Sequence, residues 1–387
     1  MVASEDVSHQ AQPALLDGIS EVIRGESIKI LVARCDRLGD VILSTPAIRA
    51  LKENYPKSKL ILMVRKNIAP IVETLSFVDE VKIYDPDGVH AGVKGFFRLM
   101  RELRVLGISI AVVMSTEPRL AAALYGIGVP YRVGPLSKPH SYWFYNRGVR
   151  QRRSLVEMHE ADYNLQLLRR LGIRAKRTQI LTETSTNAAD ESWARGFLAH
   201  DKVSLIGLHP GMGGSALNWS EAQYIELLNK MAEKFATTRF VLTFGPSESG
   251  LAVRFREGLS KQASQQTLIY QADESASVTK LSALFACCEV VIAPSTGPLH
   301  LAVSRGKRVV TLFSPIRVQS ALRWGPYVAN DSAASVLVPE NFCGEDFRCR
   351  LQACQYFPCM ESISVNSVLD EVRVQLKLAT NEKGKLA

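Results

Sequence analysis

Short apolar runs alternating with amphipathic stretches predict an α/β protein of two lobes, each a parallel sheet with helices on both faces. Three observations carry this. The alternation starts near residue 28 and continues almost to the C-terminus. It is interrupted by a polar stretch, 174–187, that is poor in large apolar residues. The chain also has 387 residues, more than one hydrophobic core usually serves.

In the first series, 28–34 reads as a buried strand and 45–54 as a helix with Pro46 in its first turn. A strand at 60–64, a helix at 67–75 and a strand at 81–84 follow. Next come helix 93–106, strand 108–114, helix 118–125 and strand 131–134. Helix 160–171 follows a basic loop. The second series has strands at 203–209, 239–244, 268–271, 290–293, 308–313 and 336–338. Its helices are 221–235, 251–261, 278–286 and a terminal one at 365–378. The expected division is a loosely ordered extension over 1–27 with a short helix near 14–24, an N-terminal lobe over 28–180, a C-terminal lobe over 188–362, and a helix and tail over 363–387.

Composition narrows the class. Apolar residues make up 47% and charged residues 22%, as in a globular protein. No apolar run is long enough to cross a bilayer, and the first residues lack a signal-peptide core. A cytoplasmic location is therefore expected. The net charge of +9 suggests a polyanionic partner. Arg147, Arg150, Arg152 and Arg153 concentrate that charge in one loop, just after Lys138, His140, Tyr142, Trp143 and Tyr145. No nucleic-acid motif accompanies them, so nucleic acid is not expected. The loop reads either as an anion-binding segment or as a solvated charged one. Cys35, Cys287 and Cys288 read as small core residues. Cys343, Cys349, Cys354 and Cys359 lack the paired knuckles of a zinc site, and no metal is expected.

Ligands of such folds sit beyond the C-terminal ends of the strands, which draws attention to three loops. After the first strand, Gly39 permits a tight turn and Asp40 opens the next helical segment. Asp40 can be a helix cap or a general base. In the second lobe, 209–219 (HPGMGGSALNW) brings Gly211, Gly213, Gly214 and Ser215 into a strand–loop–helix setting able to wrap backbone N–H groups around phosphate. It fits neither the P-loop nor the dinucleotide pattern. Glu248 follows the next strand and could bond a ribose hydroxyl or simply start a helix. The third loop, Ser295-Thr296-Gly297-Pro298 with His300 one turn on, leads from a strand into a helix N-terminus. It is either an anion site or an ordinary turn.

Taken together, RLGDVILSTPAIRALK at 37–52, HPG at 209–211, STGPLHLA at 295–302, VVTLFSP at 309–315 and CMESISVNSV at 359–368 resemble glycosyltransferase family 9, the bacterial ADP-heptose–lipopolysaccharide heptosyltransferases. The similarity runs from about residue 28 to 374. It implies a GT-B architecture of two Rossmann-like domains. It also implies inverting, metal-independent transfer from ADP-heptose, or another nucleotide-diphosphate sugar, to a lipopolysaccharide-core or related acceptor. By position, Asp40 matches the family's base, Thr296 and Gly297 its diphosphate turn, His300 the histidine after that turn, and Gly211 and Ser215 its donor loop, with Ser295 beside the turn as a further donor-side candidate. Arg37, Arg65, Lys66, Arg147, Arg150 and Arg152 become candidates for the acceptor's anionic groups and for peripheral contact with an anionic membrane on the cytoplasmic face. Two departures fall on the donor side. Leu217 and Asn218 precede Trp219 where many members carry a basic residue, and Ser295 stands where many have aspartate. A nucleotide-sugar epimerase and a non-catalytic nucleotide-binding scaffold are the other readings.

Overall fold

The computed structural model describes residues 28–175, 181–199, 203–214, 216–273, 278–341 and 343–386. The expected extension with its helix near 14–24, and Ser215 of the donor loop, lie outside the described residues.

The first sheet holds β1 (Lys29–Ala33), β2 (Lys59–Val64), β3 (Glu80–Ile83), β4 (Ile110–Val113) and β5 (Tyr131–Val133), in the order β3-β2-β1-β4-β5. The second holds β6 (Ser204–Leu208), β7 (Thr238–Phe244), β8 (Thr267–Gln271), β9 (Val290–Pro294), β10 (Arg308–Leu312) and β11 (Ala334–Leu337), in the order β11-β10-β9-β6-β7-β8. Every pairing is parallel. Central strands such as KILVA and VVIAP are buried along almost their whole length. They therefore read as continuous apolar runs rather than alternating ones. Each buried Val, Leu or Ile contributes about 1.5–3 kcal/mol over an exposed one.

Around the first sheet lie α1 (Leu38–Ile42), α2 (Thr45–Asn54), α3 (Gly92–Leu106), α4 (Pro118–Gly126), α5 (Ser141–Phe144) and α6 (Glu160–Leu167). α7 (Ala188–Leu198), α8 (Glu221–Lys234), α9 (Ser249–Gly258), α10 (Lys261–Gln266) and α11 (Val278–Cys287) follow. The last are α12 (Gly297–Ser304), α13 (Ala321–Trp324) and α14 (Val365–Leu386). Val365, Val368, Leu369 and Val372 of α14 pack in one core with Ile206, Leu242 and Leu312 of the second sheet.

Strand order reverses between β1 and β4 in the first sheet, and between β6 and β9 in the second. Crevices at such switch points receive ligands. The loops after these four strands carry the functional candidates.

Several expected helices differ from those observed. The segment at 67–75 forms only a 3₁₀ turn, Ala69–Ile71. Ile68, Ile71, Val72 and Leu75 are buried at helical spacing, but Pro70 supplies no N–H donor and the backbone closes in tighter turns, Ile71 N–H to the Ile68 carbonyl and Val72 N–H to the Ala69 carbonyl. The helix expected at 160–171 tightens into a 3₁₀ turn after Leu167. The one expected at 251–261 stops at Gly258, and Ser260 caps a new helix by accepting from the Ala263 N–H. α7 was not expected at all. Asn187 caps it by accepting from the Asp190 N–H, and Trp193 and Phe197 pack together against Tyr270.

Candidate active site

A cavity of about 1230 Å³ is lined by residues from both halves of the chain. Asp36, Arg37, Gly39 and Asp40 enter from the β1 loop and α1, and Ser115 and Thr116 from the β4 loop. Ser295, Thr296, Gly297 and His300 enter from the β9 loop and α12. The base candidate and the diphosphate-turn candidate thus share one chamber.

Two glycines set their approach. A methyl group on Gly39 would lie 2.8 Å from His300 Cδ2, and one on Gly297 would lie 3.1 Å from Leu38 Cβ. Any larger residue would hold α1 and α12 apart. At α12, Thr296 is the N-cap residue with extended backbone, and its hydroxyl makes no cap hydrogen bond. Pro298 provides no N–H. The helix therefore presents the Gly297 N–H, the free Thr296 hydroxyl and the positive end of its dipole to the chamber.

Asp40 is held from behind. The Arg34 Nη2 donates to Asp40 Oδ1 at 2.5 Å and to Glu160 Oε1 at 3.2 Å. Its Nη1 donates to the Met114 carbonyl at 2.5 Å and to Asn164 Oδ1 at 3.3 Å. Arg34 Nε lies 3.0 Å from Asp36 Oδ2. Burial disfavours the guanidinium charge, but Asp40, Glu160 and Asp36 outweigh that and raise its pKa. Asp36 moves upward as well, because burial outweighs the pull of Arg34 and Asp40 adds repulsion.

Glu160 anchors the network. Its Oε1 accepts from Arg34 and, at 2.5 Å, from Arg153 Nη1. Its Oε2 accepts from both Nε and Nη2 of Arg323, at 3.2 and 3.1 Å. Burial would raise its pKa, but Arg153, Arg34 and Arg323 overcome this and lower it. Arg153 shifts down to about 10 through burial and its arginine neighbours, with Glu160 opposing. It stays cationic at neutral pH. Arg153 Nε donates to Gln151 at 3.0 Å, while its buried Nη2, the Ser115 hydroxyl and His300 Nδ1 have no protein partner. All three residues line the chamber, where a bound ligand can satisfy them. Burial, with His159 nearby, takes the His300 pKa down to about 3, so its imidazole is neutral.

A second cleft of about 480 Å³ adjoins the first, with Ala216 on the wall of both. Gly211, Gly214, Trp219 and Glu248 line it; Gly213 does not, and is exposed. Glu248 Oε2 accepts from the Gly245 N–H at 2.6 Å, so one of its oxygens closes a turn. Asn218, at the position where a cation was missed, donates to the Pro210 carbonyl and accepts from the Trp219 N–H and Tyr224 hydroxyl. It shapes the loop.

Of the anion-binding candidates, Arg37, Arg150 and Arg152 line the main chamber. Arg65 stands outside it, bound to the Cys35 carbonyl and Asp87. Lys66 is exposed away from it, and Arg147 stacks over Tyr131. Reading the sequence missed Arg34, Glu160 and Arg323. A charged residue ending the apolar run of β1 was a usable signal for Arg34; Glu160 had none beyond its place at a helix start. Cys343, Cys349, Cys354 and Cys359 are free thiols. Among the described residues no group of three or more His, Cys, Asp or Glu is arranged to hold a metal.

Comparison with known proteins agrees with this geometry. A Haemophilus influenzae protein classed provisionally as a glycosyltransferase is 28% identical over 362 residues, covering 90% of this chain and 97% of its own. Lipopolysaccharide heptosyltransferase 3 of Escherichia coli is 20% identical over 300 residues, covering 76% of this chain and 83% of its own. The solved structure of E. coli ADP-heptose lipopolysaccharide heptosyltransferase II superposes with a TM-score of 0.71 at 18% identity, covering 90% of this chain and 99% of that one. It gives the two sheets their GT-B architecture. The sequence model of glycosyltransferase family 9 (heptosyltransferase) matches residues 96–353. The chain belongs to glycosyltransferase family 9 and is a glycosyltransferase of the heptosyltransferase family.

Proposed function

We propose that the enzyme transfers a heptose-type sugar from ADP-heptose, or a closely similar nucleotide-diphosphate sugar, to a hydroxyl of a lipopolysaccharide-core acceptor, with inversion. The observation that carries this reading is Asp40 facing the Thr296–Gly297 turn within one chamber. The names of the relatives support donor and acceptor: a lipopolysaccharide heptosyltransferase among the sequence relatives and an ADP-heptose enzyme among the structural ones.

In this reading the nucleoside occupies the cleft of Gly211, Trp219 and Glu248, and the diphosphate reaches past Ala216 to the start of α12. The acceptor hydroxyl attacks the anomeric carbon, its proton passes to Asp40, and the bond to the diphosphate oxygen breaks. Negative charge growing on the leaving group meets the α12 dipole, the Gly297 N–H, the Thr296 hydroxyl and the guanidinium of Arg153. These groups would serve without a metal. Arg37, Arg150 and Arg152 face anionic groups of the acceptor.

Asp40→Asn is expected to lower kcat by about 10²–10⁴ while calorimetric affinity for the donor stays the same. Unchanged turnover would remove Asp40 as base. Asp36 is the competing base, because it lines the same chamber and burial raises its pKa. Asp36→Asn separates the two: if it abolishes turnover and Asp40→Asn does not, the roles are exchanged. Failure of ADP-, UDP-, GDP- and dTDP-sugars all to bind the wild type would end the reading.

A further inference from the structure

Helix α3 is amphipathic in an unusual sense. Its inward stripe is Gly95, Leu99 and Leu103, which are buried. Its outward side would ordinarily be charged with both signs. Instead Val93, Phe97 and Val105 stand 73%, 63% and 81% exposed, and Lys94, Arg98, Arg101 and Arg104 are exposed among them. At 3.6 residues per turn, these seven fall within about 140° of the helix circumference. The acid nearest this arc, Glu102, is turned onto Arg98 and His90.

The apolar character continues across the neighbouring helices. α3 packs on α4 and α4 on α5. Met100 of α3 lies against Gly126 at the end of α4. Tyr125, itself exposed, meets the Phe144 ring at 5.8 Å. Beside Phe144, Trp143 is 80% exposed and Tyr142 is exposed while also lining the catalytic chamber. One outer helical layer therefore carries protruding apolar residues, interspersed cations and aromatic rings, and it leads to the rim of the chamber.

We propose that the outer surface of α3, α4 and α5 docks on an anionic lipid bilayer. Cations interspersed with Val, Phe and Trp suit the headgroup region, where basic side chains meet lipid phosphate and apolar ones enter the acyl boundary. A soluble acidic protein would answer the cations but not the protruding valines. No helix among the described residues is long and apolar enough to span a membrane, so the contact is peripheral. Docked in this way, the Tyr142 rim faces the bilayer and the chamber opens to an acceptor held in it. That last consequence rests on the lipopolysaccharide-core acceptor proposed above; the docking does not.

The test is co-sedimentation of the full chain with phosphatidylcholine vesicles, with and without phosphatidylglycerol. Wild type is expected to sediment with the anionic vesicles only, and less as salt rises. Phe97→Ser and the double variant Arg101→Glu/Arg104→Glu are each expected to weaken partitioning at least tenfold, with unchanged circular dichroism and melting. Tryptophan emission is expected to shift to the blue on adding anionic vesicles, and not to do so in Trp143→Phe. Failure of the wild type to sediment, equal binding to neutral vesicles, or variants that bind as wild type would each overturn the proposal. So would a concentration-dependent dimer that Phe97→Ser abolishes in the absence of vesicle binding. Donor binding by the two α3 variants stays intact if only the docking face is altered. Its loss in the wild type would count against the catalytic reading and leave this one standing.

Discussion

Glu160 has no exposed surface, and its two oxygens engage three guanidinium groups. Desolvating so many charges is costly, so the cluster is weak evidence for stability as such. Breaking it is another matter, because Arg34, Arg153 and Arg323 would be left facing one another. Glu160→Gln is expected to lose about 3–5 kcal/mol in urea unfolding at neutral pH. The pH dependence follows from the sign of the shift. The Glu160 pKa is lowered in the folded protein, so its stabilisation is complete above the ordinary glutamate range and is lost as pH falls through the folded value. The gap between wild type and Glu160→Gln should therefore narrow in acid, when the protonated carboxyl resembles the amide. A gap that is constant with pH would show that the charge of Glu160 is not what matters.

At the scale of elements, the contact between α1 and α12 is the sensitive one. Gly39→Ala drives a methyl group into the ring of the buried His300. Overpacking of this kind costs about 1–3 kcal/mol. Because Asp40 is the next residue, turnover should fall further than stability does. Gly213→Ala, where nothing stands within 4 Å, should leave stability within about 0.5 kcal/mol. Paired melting curves and turnover measurements on the two variants check both statements. The same helices show what local sequence reveals. All the strands of both sheets were legible, because strands buried on both faces are apolar runs bounded by turn residues. Of the α1 helix only a start at Asp40 was expected, two residues late, since five residues hold too little periodicity to register in full. The false helix at 67–75 had buried apolar residues at helical spacing, but Pro70 removes a backbone donor and the segment closes in tighter turns instead.

For the molecule as a whole, α6 and the segment around α13 join the two halves. Arg323 grips Glu160, the Tyr327 hydroxyl donates to Asp162 at 2.8 Å, and a His159 ring nitrogen lies 2.9 Å from the Gly325 carbonyl. Arg323→Met removes the charged part of this junction. Hydrogen exchange is expected to quicken together in 155–163 and 317–327 in that variant, and in neither segment in Gly213→Ala. Exchange that rises on one side only would mean the two halves are not coupled there. Local sequence sufficed for the two parallel sheets and the family motifs, and it marked Asp40 and the 295–300 turn for inspection. These depend on apolar periodicity, turn chemistry and motif spacing, which are local. What holds Asp40 emerges only in the folded chain. Glu160 is 126 residues from Arg34 and 163 from Arg323 along the chain. Ion pairs at such separations leave no periodic trace and exist only once two sheets and their crossing helices have closed around them.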